Sequence, residues 1–311
     1  MMNRTSIVAA FLAAATLGTA CKKDPAGDAA PSGSASAAAT PAGTTSAGAS
    51  AAPQPSTPSS DEGVKLTKKP PVVGTKLSDE FKMGMALKLV TPKASVDLKE
   101  DEARTMDEEI LEVTGNAVTK LRVTFSSDQK STSQDGKPGK ATKSVIVGKT
   151  YVLAFKNGKT VVLDEKQKPA PDAEAKAVTK HFASFGKSDP VVDALPDRAF
   201  KPGEAVTELT SAVTKQLKGT DDKLTMEDVK ITFKGREGDR GVFTLAVTMK
   251  TGGPFKMTMP LTGSFAMRIA DGAPTGIWIE GPINLELTDK DKAQGTSGQG
   301  TLKIASTYTY K

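Results

Sequence analysis

One cysteine, one histidine and one tryptophan are all that this chain of 311 residues holds of those three residue types. A lone cysteine excludes intrachain disulfides and cysteine-cluster metal sites, so whatever folds here is held by packing. A lone histidine, His181, excludes a multi-histidine metal centre. Aromatic residues are scarce too, at 5% of the chain, and none lies between Leu12 and Glu80. Lys22 to Ser60 is almost wholly Ala, Ser, Gly, Pro and Thr. Such a stretch buries too little apolar surface to offset about 1–2 kcal/mol of backbone entropy per residue. Residues 21–62 therefore read as a disordered tether, and 63–311 as the foldable part. The formal charge of +6 is spread along the domain, with Lys and Arg alternating with Asp and Glu. A nucleic-acid binder needs clustered cations interleaved with aromatics, and this pattern excludes one as a partner.

The N-terminus carries an export pattern. Arg4 supplies one positive charge, and Ile7 to Leu17 is an apolar run. That run falls short of the roughly 20 residues a spanning helix needs but suits a signal-peptide core, making 1–20 the signal peptide. Leu17-Gly18-Thr19-Ala20-Cys21 follows, and it resembles the lipobox of bacterial lipoproteins. The match departs from the family pattern at one place: the usual Leu position, three before the cysteine, holds Gly18, with Leu17 one further back. Gly18 and Ala20 also suit an ordinary signal peptidase, which would leave a soluble periplasmic or secreted protein. The resemblance implies that Cys21 is acylated, palmitate being one such chain, and that the lipid bilayer is the first partner. Lys22 stands where an Asp would imply retention in the inner membrane, so the resemblance implies the outer membrane of the cell envelope.

Beyond the tether, apolar residues recur at every second position. Phe81, Met83, Met85, Leu87 and Leu89 alternate with small or charged residues, as do Leu121, Val123 and Phe125, the period of a half-buried strand. Gly115-Asn116 and Asn157-Gly158 sit between such runs, and Asn-Gly is the strongest short hairpin signal. The middle of the chain changes period. Ala173 to Phe185 places Val178, Phe182 and Phe185 on one helical face, with Asp172 as N-cap and Gly186 as stop. Glu204 to Leu217 spaces Val206, Leu209 and Val213 likewise. Strands then resume through Val229, Phe243, Met257, Phe265, Ile277 and Ile283 to Tyr310. The expected fold is α+β: a large curved, mainly antiparallel sheet, a meander or two half-sheets, with two helices inserted midway. The single domain divides into candidate lobes at 63–170 and 220–311, with the helices at 172–218 between them. Phe81-Lys82-Met83-Gly84-Met85 is echoed by Phe255-Lys256-Met257-Thr258-Met259, but the two copies occupy different places in their lobes.

Catalytic equipment is not evident. Gly148-Lys149-Thr150 and Gly158-Lys159-Thr160 lack the glycine that opens a phosphate loop and read as turns between strands. His181 reads as a helix-surface histidine without a nucleophile elbow. The acids from Glu100 to Glu109 lack the ordered spacing of a calcium loop and read as solvated charge. The chain is expected to be no enzyme and to need no cofactor or metal.

The methionines carry what signal there is. Met is flexible and polarizable, suited to surfaces that accommodate varied apolar partners. A cavity among Phe81, Met83, Met85, Phe255, Met257 and Met259 is the candidate site for an apolar ligand. A tethered lipoprotein with such a sheet resembles the carriers that ferry lipoproteins or lipids across the periplasm, and the resemblance implies a lipid as ligand. The alternative is a structural or interaction lipoprotein, its core filled, that binds an envelope protein or polymer. The export reading predicts that the mature chain starts at Cys21 and incorporates labelled palmitate. Cys21→Ser is expected to abolish the label and release the protein from membranes on fractionation.

Overall fold

The computed structural model describes residues 63–139, 141–217, 224–251, 256–288, 292 and 295–311. The signal peptide, the tether with Cys21, and Phe255 lie outside the described residues. Strands come first: β1 (Val64–Lys65), β2 (Lys76–Thr91), β3 (Ala94–Thr114) and β4 (Ala117–Gln134). Two short pieces, β5 (Lys137–Pro138) and β6 (Thr142–Lys143), precede β7 (Thr150–Lys156) and β8 (Lys159–Asp164). The middle of the chain holds α1 (Asp172–His181), α2 (Pro190–Asp193), β9 (Ala199–Phe200) and α3 (Thr207–Leu217). The chain ends in β10 (Leu224–Glu237), β11 (Arg240–Thr251), β12 (Met257–Arg268), β13 (Pro274–Leu285) and β14 (Ser297–Tyr310).

All the long strands join one antiparallel sheet in the order β10-β11-β12-β13-β14-β2-β3-β4-β7-β8, with β5 and β6 paired to β4. The meander expected from sequence is present, and its two runs are welded where the C-terminal β14 pairs with β2 from Tyr310↔Leu77 to Ser297↔Val90. β1 pairs β9 in a separate two-stranded piece. Asn157 and Gly158 both take positive φ (49° and 76°) in the β7–β8 hairpin, the turn that matches strand twist. Gly148 also has positive φ, and Thr150 opens β7, so the supposed phosphate-loop triplets are turns.

Among the described residues three helices are present rather than two. The added one, α2, is a single turn capped by Asp189, whose carboxylate accepts from the Val191 amide at 2.9 Å; a single turn leaves no periodicity in the sequence. Asp172 is not the N-cap of α1. Pro171 stands there without a side-chain cap bond, and Asp172 is the first helical residue, its charge against the positive helix end.

Both cores lie on the same face of the sheet. The larger is built on β10–β14 and β2 and covered by α2 and α3, with Leu66, Phe200, Val206, Leu209 and Val213 packed in. Its centre is aromatic: Phe243 stacks on Phe265 at 4.9 Å and meets Phe233 edge-on at 5.2 Å, pairs contributing about 0.5–1.5 kcal/mol beyond their burial. The smaller core is built on β3, β4, β7 and β8 under α1, whose Val178 joins Phe125, Leu153, Phe182 and Phe185. The sheet's outermost strands are covered by the chain itself. The Val206 amide bonds the Ile231 carbonyl on β10, and the Ala170 amide bonds Val162 on β8, which blunts the edges against pairing with another molecule.

A diagonal of glycines creases the sheet over the larger core. Gly263, Gly281 and Gly300 lie on β12, β13 and β14, each two residues further along than the last. A Cβ added at Gly281 would meet the Pro260 carbonyl oxygen at 2.2 Å, and one at Gly300 the Ala86 oxygen at 2.1 Å. Neighbouring strands therefore fold inward over these positions, which only a residue without a side chain permits. Gly281→Ala is expected to destabilise the protein by about 1–3 kcal/mol in urea unfolding. Gly84→Ala, whose added Cβ would meet only the Asp101 carboxylate at 3.3 Å, is expected to lie within about 0.5 kcal/mol of wild type.

Candidate functional site

The register fixes which residues share the inner face. One row crosses it as Phe233, Phe243, Phe265, Ile277, Ser306, Phe81, Arg104 and Asp128. The next runs Ile231, Leu245, Gly263, Ile279, Ile304, Met83, Glu102 and Lys130. Both are apolar or small through β2 and ionic on β3 and β4. Along β2, Leu77 belongs to the smaller core and Phe81 to the larger, with Asp79 between them. Along β14, Tyr308 and Ile304 are divided in the same way by Ser306. The cores are thus separated by a buried polar seam.

Arg104 is the centre of that seam, 8% exposed. Its Nη1 donates to His181 Nδ1 at 2.7 Å, and its Nη2 lies 3.8 Å from Asp79 Oδ2. Its guanidinium lies 5.0 Å from the centre of the Phe81 ring, and its Nε is buried without a hydrogen-bond partner. Ser306 Oγ hydrogen-bonds both Asp79 Oδ1 (3.0 Å) and Tyr308 Oη (2.9 Å). On the other side, His181 Nε2 lies 3.4 Å from Asp128 Oδ2. A guanidinium only donates, so Nδ1 of His181 accepts and the proton of the neutral ring sits on Nε2, facing Asp128. Burial holds the imidazole below the usual histidine value, and Arg104 adds to that while Asp128 opposes it. Burial pushes the Asp128 carboxyl up, but its hydrogen bond from His181 and the nearby charge outweigh this, so it stays below the usual range. Burial raises the Glu102 carboxyl.

His181 is therefore not a helix-surface residue. α1 delivers it into the sheet, where it lies 5.6 Å from the Phe125 ring. Nor are all the acids of β3 solvated: Asp101 is exposed, but Glu100 and Glu108 are each 4% exposed, and Lys130 Nζ meets Glu100 Oε1 at 2.6 Å. The signal was in the sequence as Glu100, Glu102 and Arg104 at strand spacing. It was obscured because charge on alternate positions normally marks the wet face. Asp128 was obscured by a register shift at Thr105/Met106 opposite Ser127 and Phe125. That bulge puts Asp128 and Phe125 on one face despite their odd spacing.

The second feature is a groove of about 630 Å³ where the inner face runs out toward the β2–β3 turn. Leu87, Leu98, Ile283 and Gly300 share one row of the register there, and Lys88, Lys99 and Asn284 line it too. Gly300 lies in the crease there, and the Ala86 carbonyl of β2 occupies the space its side chain would take. The methionine candidates sit on the same face but deeper. Phe81, Met83, Met257 and Met259 are 3, 3, 7 and 2% exposed within the larger core, with Met85 half-buried against them. β2 and β12 are separated by β13 and β14, so the two clusters share a layer without lying on neighbouring strands. The groove is lined by none of these residues. Among the described residues, no three Asp, Glu, His or Cys side chains form a metal-binding group, and no helix is long and apolar enough to cross a membrane.

The fold and these two features define an α+β protein built on one creased antiparallel sheet. No protein-family model matches the chain, and no curated protein does. Among solved structures, the chain is similar to lipovitellin, studied for its lipid–protein interactions, at 7% identity and a TM-score of 0.36 over 77% of this chain and 25% of lipovitellin. It is also similar to DynF of the dynemicin biosynthesis pathway of Micromonospora chersina, at 9% identity and a TM-score of 0.23 over 81% of this chain and 92% of DynF. The chain thus spans a quarter of lipovitellin's matched chain, and at these scores neither likeness bears on function.

The seam itself is testable. Arg104→Ala leaves Asp79 and Asp128 buried without their cation, which is expected to cost about 3–5 kcal/mol in urea unfolding at pH 7.5.

Proposed function

We propose that this chain is a lipid-anchored protein of the bacterial cell envelope that holds a lipid or other apolar ligand in the groove over Leu87, Leu98, Ile283 and Gly300. The groove carries this reading: about 630 Å³ lies within the range of small-molecule sites, roughly 300–1,000 Å³. It opens at the end of an apolar face whose deeper residues, Met83 and Met259 among them, are buried. Each methylene buried there contributes about 0.8 kcal/mol, and Lys88, Lys99, Asn284 and Gln299 at the rim suit the polar end of an amphiphile. The anchor rests on the export pattern ending at Cys21, and the tether gives the domain a reach of roughly 35 Å from its membrane. The chain's own side chains do no more here than exclude water and orient a chain.

The test is native mass spectrometry of the protein extracted from its own membranes, with fatty-acid titration of the delipidated full-length chain. A bound lipid is expected, and Leu98→Trp, which fills the groove from a half-buried position, is expected to weaken binding at least tenfold. A clean unliganded mass, or binding untouched by Leu98→Trp, overturns the proposal. The filled core around Met83 and Met259 would then favour the interaction-protein alternative.

A further inference from the structure

α1 is tied to the sheet at both of its ends. At its first turn, Glu174 accepts from Tyr151 Oη at 2.5 Å and from Lys149 Nζ at 2.8 Å, fixing the helix to β7 and the turn before it. At its last residue, His181 is held between Arg104 of β3 and Asp128 of β4. A helix of ten residues without a side-chain N-cap is marginal alone in water, so α1 depends on both ends being held.

We propose that His181 is an acid-sensitive catch: protonation frees the C-terminal end of α1 from the sheet while Glu174 retains the other end, exposing the smaller core at Phe125, Phe182 and Phe185. The geometry carries this. The only free position for a second proton is Nδ1, which faces the Arg104 guanidinium at 2.7 Å. A charged ring there meets a fixed cation and loses its acceptor role. The charged groups around it are Arg104 and Glu102 on β3, Asp128 on β4 and Lys180 on its own helix, with Asp79 behind Arg104. Asp128 alone favours the charged ring directly, and it already receives the Nε2 proton.

The docked histidine titrates below its free value, so the released state binds more protons between the docked value and about 6.5. Docking is complete above that window and weakens as pH falls through it. Glu102, raised by burial, takes up a proton in the docked state and opposes the effect above its free value. Glu174 and Asp128 titrate below their usual values, so the tie at Glu174 outlasts the catch.

Hydrogen exchange of the full-length chain at pH 7.5 and 5.5, corrected for intrinsic rates, is the test. Protection of the 175–185 peptide is expected to fall by up to about tenfold per pH unit below 6.5, while α3 is unchanged. His181→Gln, which keeps an acceptor and a donor but cannot titrate, is expected to remove the pH dependence. The single histidine also gives one unambiguous NMR titration, expected below the free value even if the variant fails to fold. An equal loss in α3, persistence in His181→Gln, or a titration at or above the free value overturns the proposal.

Discussion

A guanidinium withdrawn from water has to be met by charge or a hydrogen-bond acceptor, and Arg104 is met from β2 by the Asp79 carboxylate and from α1 by the neutral His181 ring, with Asp128 of β4 behind the imidazole. This requirement organises the domain. The strands on either side carry apolar side chains inward because nothing there needs solvating. Where β3 and β4 carry ions inward, the apolar layer has to stop and restart. Two cores on one face of one sheet follow from that interruption. Desolvation makes such a seam a poor source of net stability. Its contribution is position: α1 has one place where the imidazole meets both its partners.

The crease governs the other half. Three glycines at steps of two residues let β12 and β14 bring their neighbours closer than any side chain would permit. The inner face becomes a trough, closed where Met259 and Ile304 are buried and open where Leu87 and Leu98 line the groove. Filled core and groove are the same surface at two depths.

Much of the sheet was legible because its inner residues alternate cleanly, as Phe81 to Leu87 and Phe243 to Met249 do, and because Asn157-Gly158 dictates its turn. Val178, Phe182 and Phe185 were likewise legible as one buried helix face. What stayed hidden was hidden for physical reasons. Charged residues at strand spacing imply a wet face unless a partner arrives from far along the chain, and His181 lies 77 residues from Arg104. A bulge changes the side-chain count, and a groove depends on where neighbouring strands end. The methionine cluster was found in the right layer, while the space lay beside it, further along β2 past Met85 at Leu87.

The weld between β14 and β2 has a consequence for time. Ser306 and Asp79, bonded across it, are 227 residues apart in the chain, so the closing contact waits for the last strand to be made. Long-range pairing of this kind carries a large loop-closure cost and slows folding. Until Ser297–Tyr310 emerges, β2 is an uncovered edge and the two runs of strands cannot become one sheet. A chain ending before Ser297 would therefore leave two separate runs of strands, each with an uncovered edge where the weld belongs.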